Sequence, residues 1–222
     1  MTTNHERFVK EMAYLTQPIN GQLPRPWMTD LTNPLSANVF IVGKNQAKGY
    51  NANGLAHARH LDALFNRSEQ SCRGLYDEMT GNSTSPTRRN IDHFRSILKR
   101  EGVIRILETN VVCYSTPMSA DLRLTQHRGG SVRGTDIFRT LLGFVSPKVL
   151  VAHGAGTRET LNALLGSSLP APIEVLSEPQ GVQVAGMTVF VIPSLAPPKW
   201  NQWSGWADAY LTKVAQVVAR VL

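Results

Sequence analysis

The sequence predicts an α/β fold: a three-layer α/β/α sandwich around a central, mainly parallel sheet of about four strands. Two observations carry this prediction. Short runs of β-branched and aromatic residues, such as Val39-Phe40-Ile41-Val42 and Met187 to Ile192, alternate along the chain with longer segments whose apolar residues recur at helical spacing. The apolar fraction of 42% over 222 residues is also enough for one substantial core. Residues 1–35 read as an irregular lead-in packed on that core, and residues 36–222 as the folded domain.

In chain order, residues 5–15 fit a short amphipathic helix. Residues 16–36 hold Pro18, Pro24, Pro26 and Pro34 and are expected to be irregular, with Trp27 inside them. The first strand is expected over 38–42, followed by a Gly/Asn-rich loop at 43–54 and helices at 55–66 and 69–79. Gly81 to Pro86 is a loop. Thr87 to Arg100 is a helix with Ile91, Phe94, Ile97 and Leu98 on one face. The second strand covers Ile104 to Val112, and a long polar loop fills 115–133. A helix at 135–144 precedes a strand from Lys148 to Ala152 and a helix from Thr157 to Leu165. Ile173 to Leu176 and Met187 to Ile192 are the remaining strands, and a helix at 202–221 closes the chain.

The net charge is +7 and the pI is about 9.7, a balance that favours a polyanionic partner, nucleic acid above all, or simply marks a basic soluble enzyme. The two cysteines, Cys72 and Cys113, are too few and too far apart for a disulfide framework or a zinc site. No run approaches transmembrane length, and the polar start of the chain leads into no apolar signal core. A soluble, intracellular (cytoplasmic), monomeric protein without metal or organic cofactor and without a membrane partner is expected. Signatures of dinucleotide binding, of a phosphate loop and of a nucleophile elbow are missing. Gly154-Ala155-Gly156-Thr157 opens a helix and suits either an anion at its N-terminus or a tight turn.

A parallel sheet gathers the carboxyl ends of its strands at one edge, where ligands bind. Three strand ends carry polar chemistry. They are Gly43-Lys44-Asn45-Gln46-Ala47-Lys48-Gly49-Tyr50, Glu108-Thr109-Asn110-Val111-Val112 and Ile192-Pro193-Ser194-Leu195-Ala196-Pro197-Pro198. Taken together they resemble the uracil-DNA glycosylase superfamily, nearest its mismatch-specific and single-strand-selective branches. Gly43-Lys44-Asn45 matches the opening of the family's Gly-x-Asn-Pro-Gly motif, Thr109-Asn110-x-Val is similar to its base-reading strand, and Ile192-Pro193-Ser194 resembles its terminal His-Pro-Ser or Asn-Pro-Ser motif. Arg88 to Asp92, Asp136 to Arg139 and Pro147 to Gly154 also resemble intervening stretches of the family, so the likeness spans residues 36–200. Gln46 stands in place of the motif's proline, and Ile192 in place of the histidine or asparagine that stabilises the leaving base.

The resemblance implies a DNA glycosylase-like protein that flips a damaged base, uracil first, and hydrolyses its N-glycosidic bond without a metal. The alternative is a catalytically weak protein of the same fold that binds nucleic acid or a base. In the first reading Asn45 positions the attacking water; otherwise it is a turn residue. Asn110 reads the flipped base or satisfies strand-end backbone. Tyr50 stacks on the base or packs, and Leu195 wedges into the duplex or faces the core. Gly43, Pro193 and Ser194 complete the base site. Lys44, Lys48, Arg88 and Lys199 neutralise phosphates, or are solvated charges. His153, at a strand end on the same sheet edge, reads first as a structural residue and second as a stand-in for the missing histidine.

Overall fold

Three adjacent strands deal their side chains alternately to two cores, and that alternation defines the layers. Val39 and Ile41, Val149 and Val151, and Phe190 and Ile192 enter one cluster, while Phe40 and Val42, Leu150 and Ala152, and Val189 and Val191 enter the other. The computed structural model describes residues 3–222. Its elements in order are α1 (Asn4–Leu15), β1 (Gln22–Leu23), β2 (Trp27–Met28), β3 (Val39–Gln46), β4 (Tyr50–Asn51), α2 (His57–Leu64), α3 (Cys72–Met79), α4 (Pro86–Arg100), β5 (Ile106–Ser115), α5 (Gly130–Val145), β6 (Val149–His153), α6 (Ala155–Leu165), β7 (Gly181–Val184), β8 (Met187–Ile192) and α7 (Lys199–Val221). Short 3-10 turns sit at Pro34–Ser36, Ser119–Arg123 and Thr125–His127.

The fold is α/β, with a sheet ordered β2-β5-β3-β6-β8-β7. The pairs β5–β3, β3–β6 and β6–β8 are parallel. Six strands are present instead of about four, because a short antiparallel strand is added at each edge. One is β2, inside the proline-bearing lead-in. Pro24 and Pro26 precede it and favour an edge position, where a missing N–H does no harm. The other is β7, joined to β8 by Ala185 and Gly186, both at positive φ as a tight hairpin turn requires. The strand expected at 173–176 does not form. Pro170, Pro172 and Pro179 bracket it, and Val175 is 72% exposed.

Side-chain caps mark the starts of α1, α3 and α4. Thr3 and Glu6 form a reciprocal capping box on α1, and Ser85 caps α4 with Pro86 in its first turn. α5 begins at Gly130, earlier than its apolar period suggests. It lies so close to β5 that a Cβ on Gly134 would meet the Cys113 amide nitrogen at 2.9 Å. α1, α5 and α6 supply residues to one cluster, α4 and α7 to the other. The lead-in joins the core through Phe8, Met12, Trp27 and Met28. A satellite cluster of Leu23, Tyr50, Leu55, Ala63 and Leu75 ties β1 and β4 to α2 and α3. No described helix is long and apolar enough to cross a membrane.

Candidate functional site at the carboxyl edge of the sheet

The chain leaves β3 for β5 on one side, then returns past β3 to β6 on the other. That reversal opens a crevice between β3 and β6 at their carboxyl ends, the place where open α/β sheets take ligands. A cavity of about 530 Å³ lies there, lined by residues from β3, β5, β6, the first turn of α6 and the loop after β8.

Its floor is a row across four parallel strands. Asn110 pairs with Gly43 in register, Val42 pairs with Ala152 so that Gly43 faces His153, and His153 pairs with Ile192. Asn110 and His153 converge over Gly43. A Cβ at Gly43 would lie 2.6 Å from Asn110 Oδ1 and 3.0 Å from His153 Nε2. Only glycine lets the two side chains approach from either side. His153 is 9% exposed, and its Nδ1 is buried without a hydrogen-bond partner. Burial, reinforced by the Arg88 charge, holds its pKa down to about 4, so the ring is neutral near pH 7.

Asn45 is on the strand and has no positive φ, so it is not a turn residue. Its Nδ2 donates to Thr116 Oγ1 at 2.9 Å and to the Gln46 carbonyl at 3.3 Å, while its Oδ1 accepts from Ser119 Oγ at 2.6 Å. Both donors are used, but Oδ1 keeps a second lone pair. The carboxamide is therefore fixed in orientation and can still accept one proton from a water.

The cavity wall is basic. Arg25, Lys44, Lys48 and Arg88 line it, with Glu108 as the single lining carboxylate among the described residues. Glu108 is bonded to Arg88 and lies 3.6 Å from Arg95, so it is no free general base. Lys44 folds across the first turn of α6: a Cβ on Gly156 would sit 3.1 Å from Lys44 Nζ. An ammonium beside the positive end of a helix favours an anion at that rim. No group of three or more His, Cys, Asp or Glu among the described residues is placed to hold a metal ion.

The structure gathers Lys44, Asn45, Lys48, Asn110 and Ser194 on this cavity, with Gly43 beneath. Other sequence expectations are corrected. Arg88 is not a free phosphate contact: it is 7% exposed and paired with Glu108 and Asp92, because a buried guanidinium needs carboxylate partners. Tyr50 is 3% exposed and packs edge-on against His60, with no face open to a base. Leu195 is fully buried in the cluster with Ile192 and Trp203, and so is no wedge. Pro193 is buried beside it, and Lys199 is exposed at the start of α7, bonded to Gln202 and not lining the cavity. Sequence reasoning missed Thr116, Ser119, Arg25 and the weight of His153. The first two follow a strand end in a stretch read only as polar loop; Arg25 arrives from the lead-in and left no local signal.

No family model and no curated protein matches this chain.

Proposed function

We propose that this protein is a DNA glycosylase-like enzyme that accepts a flipped base, uracil foremost, in the cavity at the β3–β6 switch point and hydrolyses its N-glycosidic bond. The observation that carries this reading is the convergence of Asn45 near the end of β3, Asn110 midway along β5 and Ser194 just after β8 on one basic cavity. These are the segments whose motifs resemble the uracil-DNA glycosylase superfamily. In this reading Asn110 meets the base edge with one donor and one acceptor. Asn45 Oδ1, locked by Thr116 and Ser119, orients the water that attacks the sugar carbon. Lys44, Lys48 and the N-terminus of α6 attract the flanking phosphates.

A second reading, a base- or nucleic-acid-binding protein with little turnover, is favoured by one specific observation. Among the described residues the one carboxylate lining the cavity is neutralised by arginines, so the water has no strong base. Single-turnover excision on uracil-containing single- and double-stranded oligonucleotides separates the two. Release of free uracil that disappears in Asn45→Ala supports the enzyme; tight, salt-sensitive binding with no release supports the binder. Neither excision nor binding at low salt would overturn both.

A further inference from the structure

We propose that Arg25 anchors a phosphate-monoester subsite in this cavity. The ligand held is then a nucleotide with a terminal phosphate, free or at a chain end, in preference to one inside a continuous strand. The nucleoside part rests on the base-binding reading; the phosphate part rests on Arg25 and its surroundings.

Arg25 comes from the lead-in, outside the stretch of family resemblance. Its carbonyl accepts from Gln46 Nε2 at 2.7 Å, and β1 pairs with β4 through Leu23 and Tyr50, so this segment is fixed against the end of β3. The guanidinium lies over two rings, with Cζ 5.0 Å from the Tyr76 centroid and 5.4 Å from that of Tyr50. Aromatic rings hold the plane of a guanidinium and leave its N–H edge to be satisfied elsewhere. Among the described residues that edge makes one long contact, 3.5 Å from Nη1 to the Tyr50 hydroxyl. Glu108, the one lining carboxylate, is engaged by Arg88 and Arg95 and forms no ion pair with Arg25. Arg88, on the same wall, holds both Glu108 and Asp92. A half-buried guanidinium with a fixed plane and unpaired donors suits an anion that it can grip with two parallel bonds. Lys48 lines the same cavity and adds a second positive charge, and Ser83 and Thr87 add hydroxyls. A phosphate monoester carries a charge of about −1.5 to −2 at neutral pH and three free oxygens, whereas a phosphate inside a strand carries a single charge. Two cations match the monoester. The cavity, about 530 Å³, falls within the range of roughly 300–1,000 Å³ that encloses ligands larger than a base alone.

The test is titration calorimetry on the full chain with four probes: deoxyuridine, deoxyuridine 5′-monophosphate, the methyl ester of that phosphate, and deoxyribose 5-phosphate. The monophosphate should bind roughly tenfold to a hundredfold tighter than deoxyuridine, the range for hydrogen bonds to charged groups. The methyl ester, with one charge fewer, should lose roughly three- to tenfold of that gain. Arg25→Gln, which keeps a planar side chain without the charge, should remove the preference, and Arg25→Lys should restore part of it. Equal binding of nucleoside and monophosphate by the wild type, a preference that survives Arg25→Gln, or a methyl ester as tight as the monophosphate would overturn the proposal. The first and third of these need no variant to fold. Uracil-ended oligonucleotides with a 5′-phosphate or a 5′-hydroxyl identify the source of the phosphate. Tighter binding of the phosphorylated end assigns the chain end; no difference there, beside tight binding of the monophosphate, assigns the free nucleotide. Single-turnover excision on the same samples keeps the two claims apart. Arg25-dependent binding of deoxyribose 5-phosphate by a protein that neither binds nor excises uracil DNA sinks the base-binding reading alone. Excision of internal uracil with no response to any terminal phosphate sinks this proposal alone.

Discussion

Gly43 shows how one missing methyl group shapes the cavity. A Cβ there collides with Asn110 Oδ1 and crowds His153 Nε2, and both neighbours are held by the strands that carry them. Gly43→Ala should leave the far-ultraviolet circular dichroism unchanged and cut uracil excision or base binding roughly a hundredfold, since displacements near 1 Å at a site have that effect. Asn45→Ala should lower single-turnover excision by roughly two orders of magnitude while leaving DNA binding within a few-fold. Ile192 changes meaning once its burial is seen. It stands where the resembled motif carries a histidine, but it is fully buried in the core with Leu195 and Trp203, one strand beyond His153. Ile192→His should therefore not raise activity. It should destabilise the protein by about 1–3 kcal/mol, read as a lower urea midpoint, because a polar ring would be buried without a partner.

At the scale of elements, α4 is pinned to the sheet by charge as well as by apolar packing. Arg88 bonds Glu108 of β5 and Asp92 of its own helix, and Arg95 reaches Asp30 at 2.5 Å. Breaking this buried set from one side strands a carboxylate, so Arg88→Met alone should cost about 3–5 kcal/mol in denaturant unfolding. Adding Glu108→Leu to Arg88→Met should recover most of the loss, since the stranded charge is then gone. If the single change proves neutral, the pair holds nothing together. The same network explains why Arg88 looked like a DNA contact. A basic residue at a helix start gives no sign of the strand carboxylate waiting beneath it, because that meeting joins positions 20 apart in the chain.

For the molecule as a whole, two buried histidines contribute to the response to acid. Burial, with the His57 and Arg25 charges, lowers His60 to about 3; burial and the Arg88 charge lower His153 to about 4. Both stay neutral in the fold while the unfolded chain protonates near 6.5. Between those values the unfolded state holds more protons, so stability rises with pH and is lost as pH falls below about 6.5 toward 4. Urea midpoints should drop across that window, and His60→Leu, at a residue that does not line the cavity, should flatten the slope. A midpoint unchanged from pH 7 to 4.5 would contradict the burial of both rings. The basic cavity wall belongs to the same scale: DNA affinity should fall steeply with salt, and Lys44→Ala with Lys48→Ala should make that dependence shallower.

Much of the architecture was legible in local pattern. Buried strands such as Val39–Val42 and Met187–Ile192 show as apolar runs, and α4 and α7 show in their helical spacing, because backbone geometry and side-chain burial repeat over a few residues. Asn45 was legible for the same reason, as a polar break at the end of an apolar run, whereas Asn110 lies midway along β5 with Val111 to Tyr114 continuing the strand beyond it. Tertiary structure alone decided the rest. The edge strands β2 and β7 are too short to carry a period and exist only because a neighbouring strand offers its free edge. Tyr50, Leu195 and Arg88 were reassigned to packing by neighbours far away in sequence. The loop at Thr116 and Ser119 became part of the site only through its bonds to Asn45. His153 reached its place over Gly43 through the order in which the strands assemble, which depends on packing summed over the entire chain and is written in no single stretch of it.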